Sequence, residues 1–597
     1  MRSHHTGWFR YLYFSLLTLC TTIPATAQRP DYYLPFLDDV YSQIRFCNLP
    51  LSRLQPKHIE DFITRLQTQN PGIFQARIVD YSVQKHPIYL ISLGNGKTRV
   101  LLWSQMHGDE PTATAALFDV YNYLLVNRDQ PFVRTILDSL IIMAIPMLNP
   151  DGAEQYARRN SQGLDINRDA RAQQTPEGKI LYQVLQQYHP VFAFNLHDQS
   201  GRRTVGKSNK IVALSLMAPP FEVQDNDNPA RIRAKKIVSV IYQSLPAELY
   251  RHISKYDADY MPCAFGDAIQ GWGTSTVLIE SGGWYSDRDN FLQKLNFIVL
   301  VSAFHAIANQ SYEEANPAIY DALPQNDQEL FDLLLTDATI IDGTGAPPYR
   351  ADVAINYNTS DPRDSLQIPT GEIVDLGDLD FFTAKEIIPA NNFWLLPGLS
   401  FLFSKPLAPN VATIRQLQEL LSYGYTTFFM PFQDFELFQA QALRELIAAN
   451  NFSGNIAGLL DHQSVKVDAY DSLAIVQALG MGFRGLLFNN SIPEFQTLAG
   501  LLKLPVYYRQ QQPQLIKLSA YQPTKIIELN ALLARQWQLA RRGKIRIGQI
   551  ADLVLLAPTS KDRMIVHTVF IKGYPVWRQG QWLTTSISGE IGLPIKK

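Results

Sequence analysis

The stretch LLWSQMHGDE, residues 101–110, places an apolar, strand-like segment directly before a histidine and a glutamate that are three residues apart. His107 and Glu110 are therefore candidate metal ligands at the end of a buried strand. A second stretch, VFAFNLHD at 191–198, is again apolar until it reaches His197. In open α/β sheets ligands bind beyond the carboxyl ends of the strands, so we expect these side chains to lie close together.

A carboxylate ends a further strand-like stretch, TSTVLIE at 274–280. Burial of Glu280 without a partner would be costly, so the side chain is expected to have a partner or to face a wet cleft. Two imidazoles and one carboxylate are the ligand types of a catalytic Zn²⁺, which keeps a fourth position for water. The sequence therefore predicts a site for one zinc ion, held by His107, Glu110 and His197, with Glu280 beside it.

These elements together resemble the zinc carboxypeptidases of the M14 family, over about residues 55–310. The family's zinc motif His-x-x-Glu matches residues 107–110, its third ligand matches His197, and its catalytic glutamate matches Glu280. Its Asn-Pro-Asp-Gly element matches 149–152. Several elements in this order are a more specific signal than a lone His-x-x-Glu.

The resemblance also implies how a substrate is held. Asn167 and Arg168 match the family's Asn-Arg pair, which grips the terminal carboxylate of the substrate. A planar, permanently charged guanidinium suits a carboxylate that is held by paired hydrogen bonds. The implied partner is therefore a peptide with a free C-terminal carboxylate.

Two further family positions have alternatives in this sequence. A second arginine, which polarises the scissile carbonyl, matches the tandem Arg158 and Arg159, and Arg158 is preferred. The tyrosine that caps the substrate matches Tyr260, with Tyr256 as the alternative.

The function that the resemblance implies is that of an exported zinc metallocarboxypeptidase, which hydrolyses the C-terminal peptide bond of peptides. Zinc-bound water would be the nucleophile and Glu280 the general base. Two alternatives stay open. The first is an amide hydrolase or deacylase of the same fold that acts on small acylated amino acids. The second is a non-catalytic peptide-binding protein.

The start of the chain predicts export. Arg2 and Arg10 precede the short apolar run YLYFSLLTL at 11–19, and Ala25-Thr-Ala27 has the form of a signal-peptidase site. Residues 1–27 are therefore predicted to be a signal peptide, which directs the protein to the periplasm or the extracellular space. The apolar run is shorter than the roughly 20 residues that span a bilayer, and no membrane span is expected in the rest of the chain.

Length and composition bound the remaining choices. At 597 residues, more than one domain is expected. With 46% hydrophobic residues and a net charge of −2, the chain has no electrostatic footprint for nucleic acid, and nothing in it fixes an oligomeric state. After export, Cys47 and Cys263 would permit one disulfide.

Strand and helix patterns alternate in residues 28–315, which predicts an α/β catalytic domain whose mixed, largely parallel sheet is covered by helices.

Residues 328–597 form a second predicted region, an α/β region with a small β-domain that resembles amidohydrolases. The resemblance rests on LLLTDATIIDGTG at 333–345 and GKIRIGQIADLVL at 543–555. The metal-binding His-x-His expected near the barrel entry is replaced by Phe-Ser-Lys at 403–405. His462 and His567 are the two histidines of this half, so the region is predicted to be catalytically inactive.

Overall fold

The computed structural model describes the half of the chain with the predicted catalytic residues almost continuously, and we call it the catalytic half after that prediction. It describes the second half in parts. The described residues are 32–256, 259–285, 287–341, 347–358, 370–397, 399–402, 425–432, 455–461, 485–488, 506–508, 545–546, 553–558, 564–571, 574–578 and 581–582. The predicted signal peptide and the Phe-Ser-Lys segment at 403–405 lie outside these residues.

The helices begin where local chemistry favours a helix start. They are α1 (Phe36–Ile44), α2 (Pro56–Gln69), α3 (Thr112–Val126), α4 (Pro131–Ser139), α5 (Pro150–Gln155), α6 (Pro176–Tyr188), α7 (Pro229–Gln243), α8 (Phe265–Gly271), α9 (Arg288–Ala308) and α10 (Ala318–Asp321). Five of them, α2 and α4 to α7, start with proline, whose fixed φ and missing N–H suit the first helical position. The side chains of Asn149, Thr175 and Asn228 cap α5, α6 and α7 by accepting a backbone N–H.

The catalytic half is built on one eight-stranded sheet. Its strands, together with the short β6, are β1 (Gln75–Tyr81), β2 (Pro87–Leu93), β3 (Thr98–Trp103), β4 (Leu140–Ile145), β5 (Phe192–Asp198), β6 (Arg203–Val205), β7 (Leu214–Met217), β8 (Ile253–Lys255) and β9 (Ser275–Ser281). The order in the sheet is β1-β2-β4-β3-β5-β9-β7-β8. The central strands β4, β3, β5 and β9 run parallel, and antiparallel pairs flank them. The predicted mixed sheet covered by helices is confirmed.

Helices cover both faces of this sheet, which explains why its central strands are apolar throughout. On one face α3, α7 and α9 contribute Phe118, Ile237 and Phe304 to a single core. On the other face α6 and α8 contribute Leu181 and Ile269. The core between the sheet and its helices is therefore mainly apolar.

Helix α9 is long and apolar enough to cross a membrane by length and composition, the one described helix for which this holds. The expectation that the rest of the chain has no membrane span stays a prediction. In its most apolar window, however, 78% of the helix is buried inside the protein. It packs against α3, α4 and α7, and so belongs to the core.

The segment before the sheet is tied to the core by a buried carboxylate. Asp119 on α3 accepts hydrogen bonds from the backbone N–H groups of Phe46 and Cys47 at 2.7 and 3.1 Å, and from the side chains of Tyr41 and Gln293 at 2.9 and 2.7 Å. This lead-in segment, residues 32–69, contains α1 and α2. Cys47 is buried, and it and Cys263 are free thiols.

In the second half, strands from the beginning and from the end of this part of the chain form one sheet. Its strands are β10 (Asn326–Glu329), β11 (Phe331–Ile340), β12 (Tyr349–Asn358), β13 (Thr370–Gly377), β14 (Ala384–Pro389), β15 (Trp394–Pro397), β16 (Leu399–Leu402), β17 (Tyr425–Phe432), β18 (Asn455–Asp461), β19 (Gly485–Phe488), β20 (Val506–Tyr508), β21 (Leu553–Pro558), β22 (Met564–Ile571), β23 (Tyr574–Arg578) and β24 (Gln581–Trp582). Strands β11 to β15 and β21 to β24 form one nine-stranded sheet, which we call the C-terminal sheet.

The strands that lie between these two groups in sequence, β16 to β20, form a separate parallel sheet in chain order. Strand β10 pairs with β6 of the catalytic half instead. The resemblance to amidohydrolases, the domain limits and the lack of catalysis in this half stay predictions.

Candidate metal centre and active site

The loop that carries the His-x-x-Glu motif connects β3 to α3. Gly108 in this loop lies against the first turn of α5, and a Cβ atom at this position would come within 2.0 Å of the backbone carbon of Gly152. Only glycine therefore fits, and the loop rests directly on the helix formed by the Asn-Pro-Asp-Gly element. The backbone N–H of Glu110 donates to the carbonyl of His107 at 3.2 Å, which turns both side chains to the same side.

His197 and Glu280 are set next to each other by the register of the sheet. Strands β5 and β9 are parallel neighbours, and His197 pairs with Glu280 across them. Both side chains are buried, with 2% and 7% of their residue surface exposed. The predicted convergence of residues from separate strand ends is therefore what the structure shows.

Three ligand atoms converge on one point. The Nδ1 atoms of His107 and His197 lie 2.7 Å from Oε1 and Oε2 of Glu110, respectively, and 3.2 Å from each other. With one ligand atom taken from each of the three residues, these atoms lie within 4.8 Å of one another. Two tetrahedral ligands about 2.0 to 2.1 Å from zinc are about 3.3 Å apart, so the spacing of the two nitrogens fits this ion.

Hydrogen bonds outside this set orient His107. Its Nε2 lies 3.1 Å from Oδ1 of Asp165, which accepts the Nε2 proton and leaves Nδ1 to act as the ligand atom. The other oxygen of Asp165 accepts from Nε and Nη2 of Arg158 at 3.2 and 3.0 Å. Nη1 of Arg158 also lies 3.3 Å from Oε1 of Glu110. Arg159 points elsewhere and donates to the carbonyl of Gly163, so Arg158 is the arginine that faces the site.

The charges of the site are strongly interdependent. Burial alone would raise the pKa of Glu110, but the two histidines hold it well below its usual range. Burial alone would lower the pKa of His107, yet its bonds to Asp165 and Glu110 raise it. Burial lowers the pKa of His197. A carboxylate kept ionised between two imidazoles is a favourable environment for a cation.

Glu280 differs from Glu110 because burial and neighbouring negative charges outweigh the positive charge of Arg158 at this carboxylate. Burial, followed by the charges of Glu110 and Asp198, raises the pKa of Glu280 well above the ordinary value. A buried carboxylate with a raised pKa next to a metal site is the usual environment of a general base or acid.

The predicted substrate-binding pair lies at the edge of the site. Oδ1 of Asn167 accepts the backbone N–H of Phe265 at 2.9 Å, which leaves the Nδ2 of Asn167 as the outward donor. Arg168 is exposed, and its Nη1 donates to the carbonyl of Asn167 at 2.8 Å. Both side chains can therefore present N–H donors to a carboxylate.

Of the two tyrosines, Tyr256 has the closer electrostatic link to the site. It follows β8, and burial together with the charges of Glu280 and Glu110 raises the pKa of Tyr256 to about 12. Tyr260 is partly buried, and residues 257 and 258 between the two tyrosines lie outside the described part of the chain. Its assignment as the substrate-capping tyrosine stays a prediction, and the position of Tyr256 favours the alternative.

A cavity of about 520 Å³ adjoins the metal centre on the side of Glu110. It is lined by Leu51, Ser52, Asp109, Glu110, Pro111, Thr112, Tyr156, Asp198, Gln199, Ser200, Arg288 and Asp289. Segments that are distant in sequence therefore share one wall, including the lead-in segment and the loop after His197.

Sequence reasoning missed two functional positions. Asp165 lies two residues before the Asn-Arg pair, and the Asp-x-Asn-Arg spacing was the available signal. Asp198 directly follows His197 and accepts hydrogen bonds from the N–H and hydroxyl of Thr112 at 3.3 and 2.7 Å. It thereby joins the end of β5 to the start of α3.

Comparison with known proteins agrees with this geometry. Residues 59–212 match the family described as zinc carboxypeptidase, Peptidase M14. Carboxypeptidase 2 of Trichophyton equinum is 23% identical over 164 residues, which cover 26% of this chain and 30% of that protein. Carboxypeptidase D of Anas platyrhynchos is 26% identical over 166 residues, which cover 24% and 12%. This chain spans about a third of the length of the first curated relatives that it matches.

Among solved structures, the metallo-carboxypeptidase from Burkholderia cenocepacia aligns with a TM-score of 0.34 and 16% identity, covering 43% of this chain and 69% of that one. The family match over residues 59–212 covers less than half of the chain. The match includes the His-Glu-His set but ends before Glu280.

Proposed function

We propose that this chain is a zinc-dependent metallocarboxypeptidase that hydrolyses the C-terminal peptide bond of peptides. The observation that carries the proposal is the convergence of His107, Glu110 and His197, with Glu280 paired to His197 across β5 and β9. A bound zinc ion would supply Lewis acidity, and such an ion lowers the pKa of water to about 7.

The side chains around this centre divide the chemistry between them. Glu280 takes a proton from the attacking water and returns it to the leaving amine. Its raised pKa makes it a stronger base than an exposed glutamate, so proton transfer in both directions is favourable. Arg158, fixed by two hydrogen bonds to Asp165, directs a permanent positive charge at the metal centre, where the carbonyl oxygen of the scissile bond gains negative charge.

Asn167 and Arg168 recognise the C-terminus of the peptide substrate. The Nδ2 group of Asn167 and the exposed guanidinium of Arg168 offer N–H donors from adjacent residues, which suits the two oxygens of a terminal carboxylate. A peptide that lacks this carboxylate would lose the contact, so cleavage is confined to the last residue.

The test compares the full chain with Glu280→Gln, which keeps the shape of the side chain but removes the base. The protein is loaded with zinc and given peptides with free or amidated C-termini. We expect release of single C-terminal residues from the free peptides, and a loss of about 100- to 10,000-fold in kcat for Glu280→Gln with zinc still bound. A matched control, Glu248→Gln, changes an exposed glutamate and should retain wild-type turnover.

Equal activity in Glu280→Gln and the wild type would refute the proposed mechanism. Cleavage of small acylated amino acids in place of peptides would assign the chain to the same-fold deacylases. Peptide binding without turnover in the zinc-loaded wild type would indicate a non-catalytic binding protein.

We also propose that the mature protein acts outside the cytoplasm, after removal of residues 1–27. The support is the arrangement of Arg2 and Arg10 before a short apolar run that ends in Ala25-Thr-Ala27. Fractionation of expressing cells, with N-terminal sequencing of the exported protein, tests this. A first residue other than Gln28, or retention in the cytoplasm, would contradict the proposal.

A further inference from the structure

The loop after His197, residues 198–205, forms part of the wall beside the metal centre. Gln199 and Ser200 line the cavity that adjoins Glu110. The start of the loop is fixed within the catalytic half, where the N–H of Gln199 donates to the carbonyl of Ser281 at 2.7 Å and its Nε2 donates to Oγ of Ser215 at 2.6 Å. We call residues 198–205 the His197 loop.

The remainder of the His197 loop is held by the second half of the chain. Strand β6, at the end of the loop, pairs antiparallel with β10. The N–H of Leu330 donates to the carbonyl of Arg202 at 2.6 Å, and that of Gly206 to the carbonyl of Gln325 at 2.7 Å. Nδ2 of Asn326 donates to Oε1 of Gln199 at 2.9 Å, so the contact extends to a residue of the cavity wall.

An ion pair then joins the loop to the C-terminal sheet. Nε and Nη2 of Arg202 donate to Oδ2 of Asp332 on β11 at 3.0 and 2.9 Å, and Nη2 also donates to the carbonyl of Tyr357 on β12 at 2.8 Å. The side chain of Asp332 is only 5% exposed. Its other oxygen pairs with Nζ of Lys385 on β14 at 2.8 Å. Strands β11 and β12 therefore contact the guanidinium of Arg202 directly, and β14 is joined to it through the carboxylate of Asp332.

We propose that the C-terminal sheet positions the His197 loop through Arg202 and Asp332, and thereby sets the shape of the substrate cleft. Arg202 and Asp332 are positioning residues, because neither reaches the metal centre. A guanidinium that donates three hydrogen bonds in fixed directions restrains a loop more than a point charge does. The inference rests on the proposed function only in treating the cleft as catalytic.

The primary variant is Arg202→Gln in the full chain. Asp332 keeps Lys385 and the N–H of Tyr357 as partners, so the C-terminal sheet retains a paired carboxylate. In the zinc-free protein, we expect amide hydrogen exchange in residues 198–206 to become at least about tenfold faster. The contact between Arg202 and Asp332, which we call the tether, no longer suppresses local opening of these residues. In the zinc-loaded enzyme we expect a rise in KM with little change in kcat and an unmoved pH profile.

Two comparisons separate positioning from a general loss of stability. Arg202→Lys keeps one charge without the fork, and should recover part of the wild-type exchange rate and KM. Asp337→Asn is the matched control, since Asp337 lies on the same strand as Asp332 but pairs with the exposed Arg350. It should leave both quantities at wild-type values.

Wild-type exchange and KM in Arg202→Gln would overturn the inference, as would equal effects in Asp337→Asn. The exchange measurement does not depend on turnover. If the wild type cleaves no peptide while Arg202→Gln still loosens the loop, the proposed function fails and the tether stands. If the wild type cleaves peptides and Arg202→Gln behaves like it, the tether fails and the proposed function stands.

Discussion

Asp165→Asn is the substitution that tests most directly how the metal centre is organised. Oδ1 of Asp165 faces Nε2 of His107 at 3.1 Å, while Oδ2 faces Nη2 of Arg158 at 3.0 Å. Both neighbours are donors. Asparagine retains one oxygen, so its NH₂ group must face a donor on one side. Each oxygen of Asp165 accepts two hydrogen bonds, Oδ1 from His107 and the backbone N–H of Asn167 and Oδ2 from Arg158, so two hydrogen bonds are lost on that side. The negative charge between the donors also disappears.

The size of the effect follows from these contacts. A hydrogen bond that involves a charged group contributes about 1.5 to 3 kcal/mol. Removal of the outer partner of a metal-binding histidine typically costs about 10- to 100-fold in metal affinity, or about 1.4 to 2.7 kcal/mol. The two ranges agree, so Asp165→Asn should weaken zinc binding by about 10- to 100-fold.

The assay is competition for zinc with a chromophoric chelator, combined with circular dichroism of the zinc-free protein to verify the fold. Asp138→Asn, at an exposed position on α4, serves as the control and should bind zinc like the wild type. Zinc affinity of Asp165→Asn within about twofold of the wild type would show that Asp165 does not orient His107, and the reasoning would be wrong.

Three further predictions concern the same centre. Arg168→Gln should raise KM for peptides with free C-termini by about 10- to 100-fold, because a charge-assisted contact is lost, and it should leave zinc affinity unchanged. Steady-state kinetics measure the change in KM. Arg171→Gln, at an exposed position, is the control. Gly108→Ala should reduce kcat/KM by about 100-fold, since the new Cβ displaces the loop with the metal ligands from α5. Gly377→Ala is the control and should leave kcat/KM unchanged, because nothing lies within 4 Å of the added atom. Burial and the charges of Glu110 and Asp198 raise the pKa of Glu280, and a general base must be deprotonated. We therefore expect kcat/KM to fall as the pH drops through a value above 4.5. A pH profile that is flat there would contradict this role of Glu280.

The sequence was most informative where chemistry and strand pattern coincide. His107, His197 and Glu280 each follow a mainly apolar run, so their place near the strand ends was predictable. The pairing of His197 with Glu280 depends on the order and register of β5 and β9, which a single sequence does not encode in any local pattern. The choice between Arg158 and Arg159 likewise required coordinates, because adjacent residues differ only in direction.

The contact between the two halves had no sequence signal. Arg202 and Asp332 are 130 residues apart, and both residue types are common on protein surfaces. Similarly, strands β15 and β21 are separated by more than 150 residues yet pair directly. Non-local pairing of this kind follows from how whole elements pack, so periodicity and turn signals could not predict it.

The C-terminal sheet has a consequence for the order in which the protein matures on the ribosome. Every strand of the catalytic half has been synthesised by residue 281, but the partners of β15 arrive only with residues 553–582. Domains generally fold as they emerge, from the N-terminus onward. The nascent chain therefore contains all the predicted zinc ligands before Arg202 acquires its partners Asp332 and Tyr357, and the sheet that contains these partners is completed only with residues 553–582.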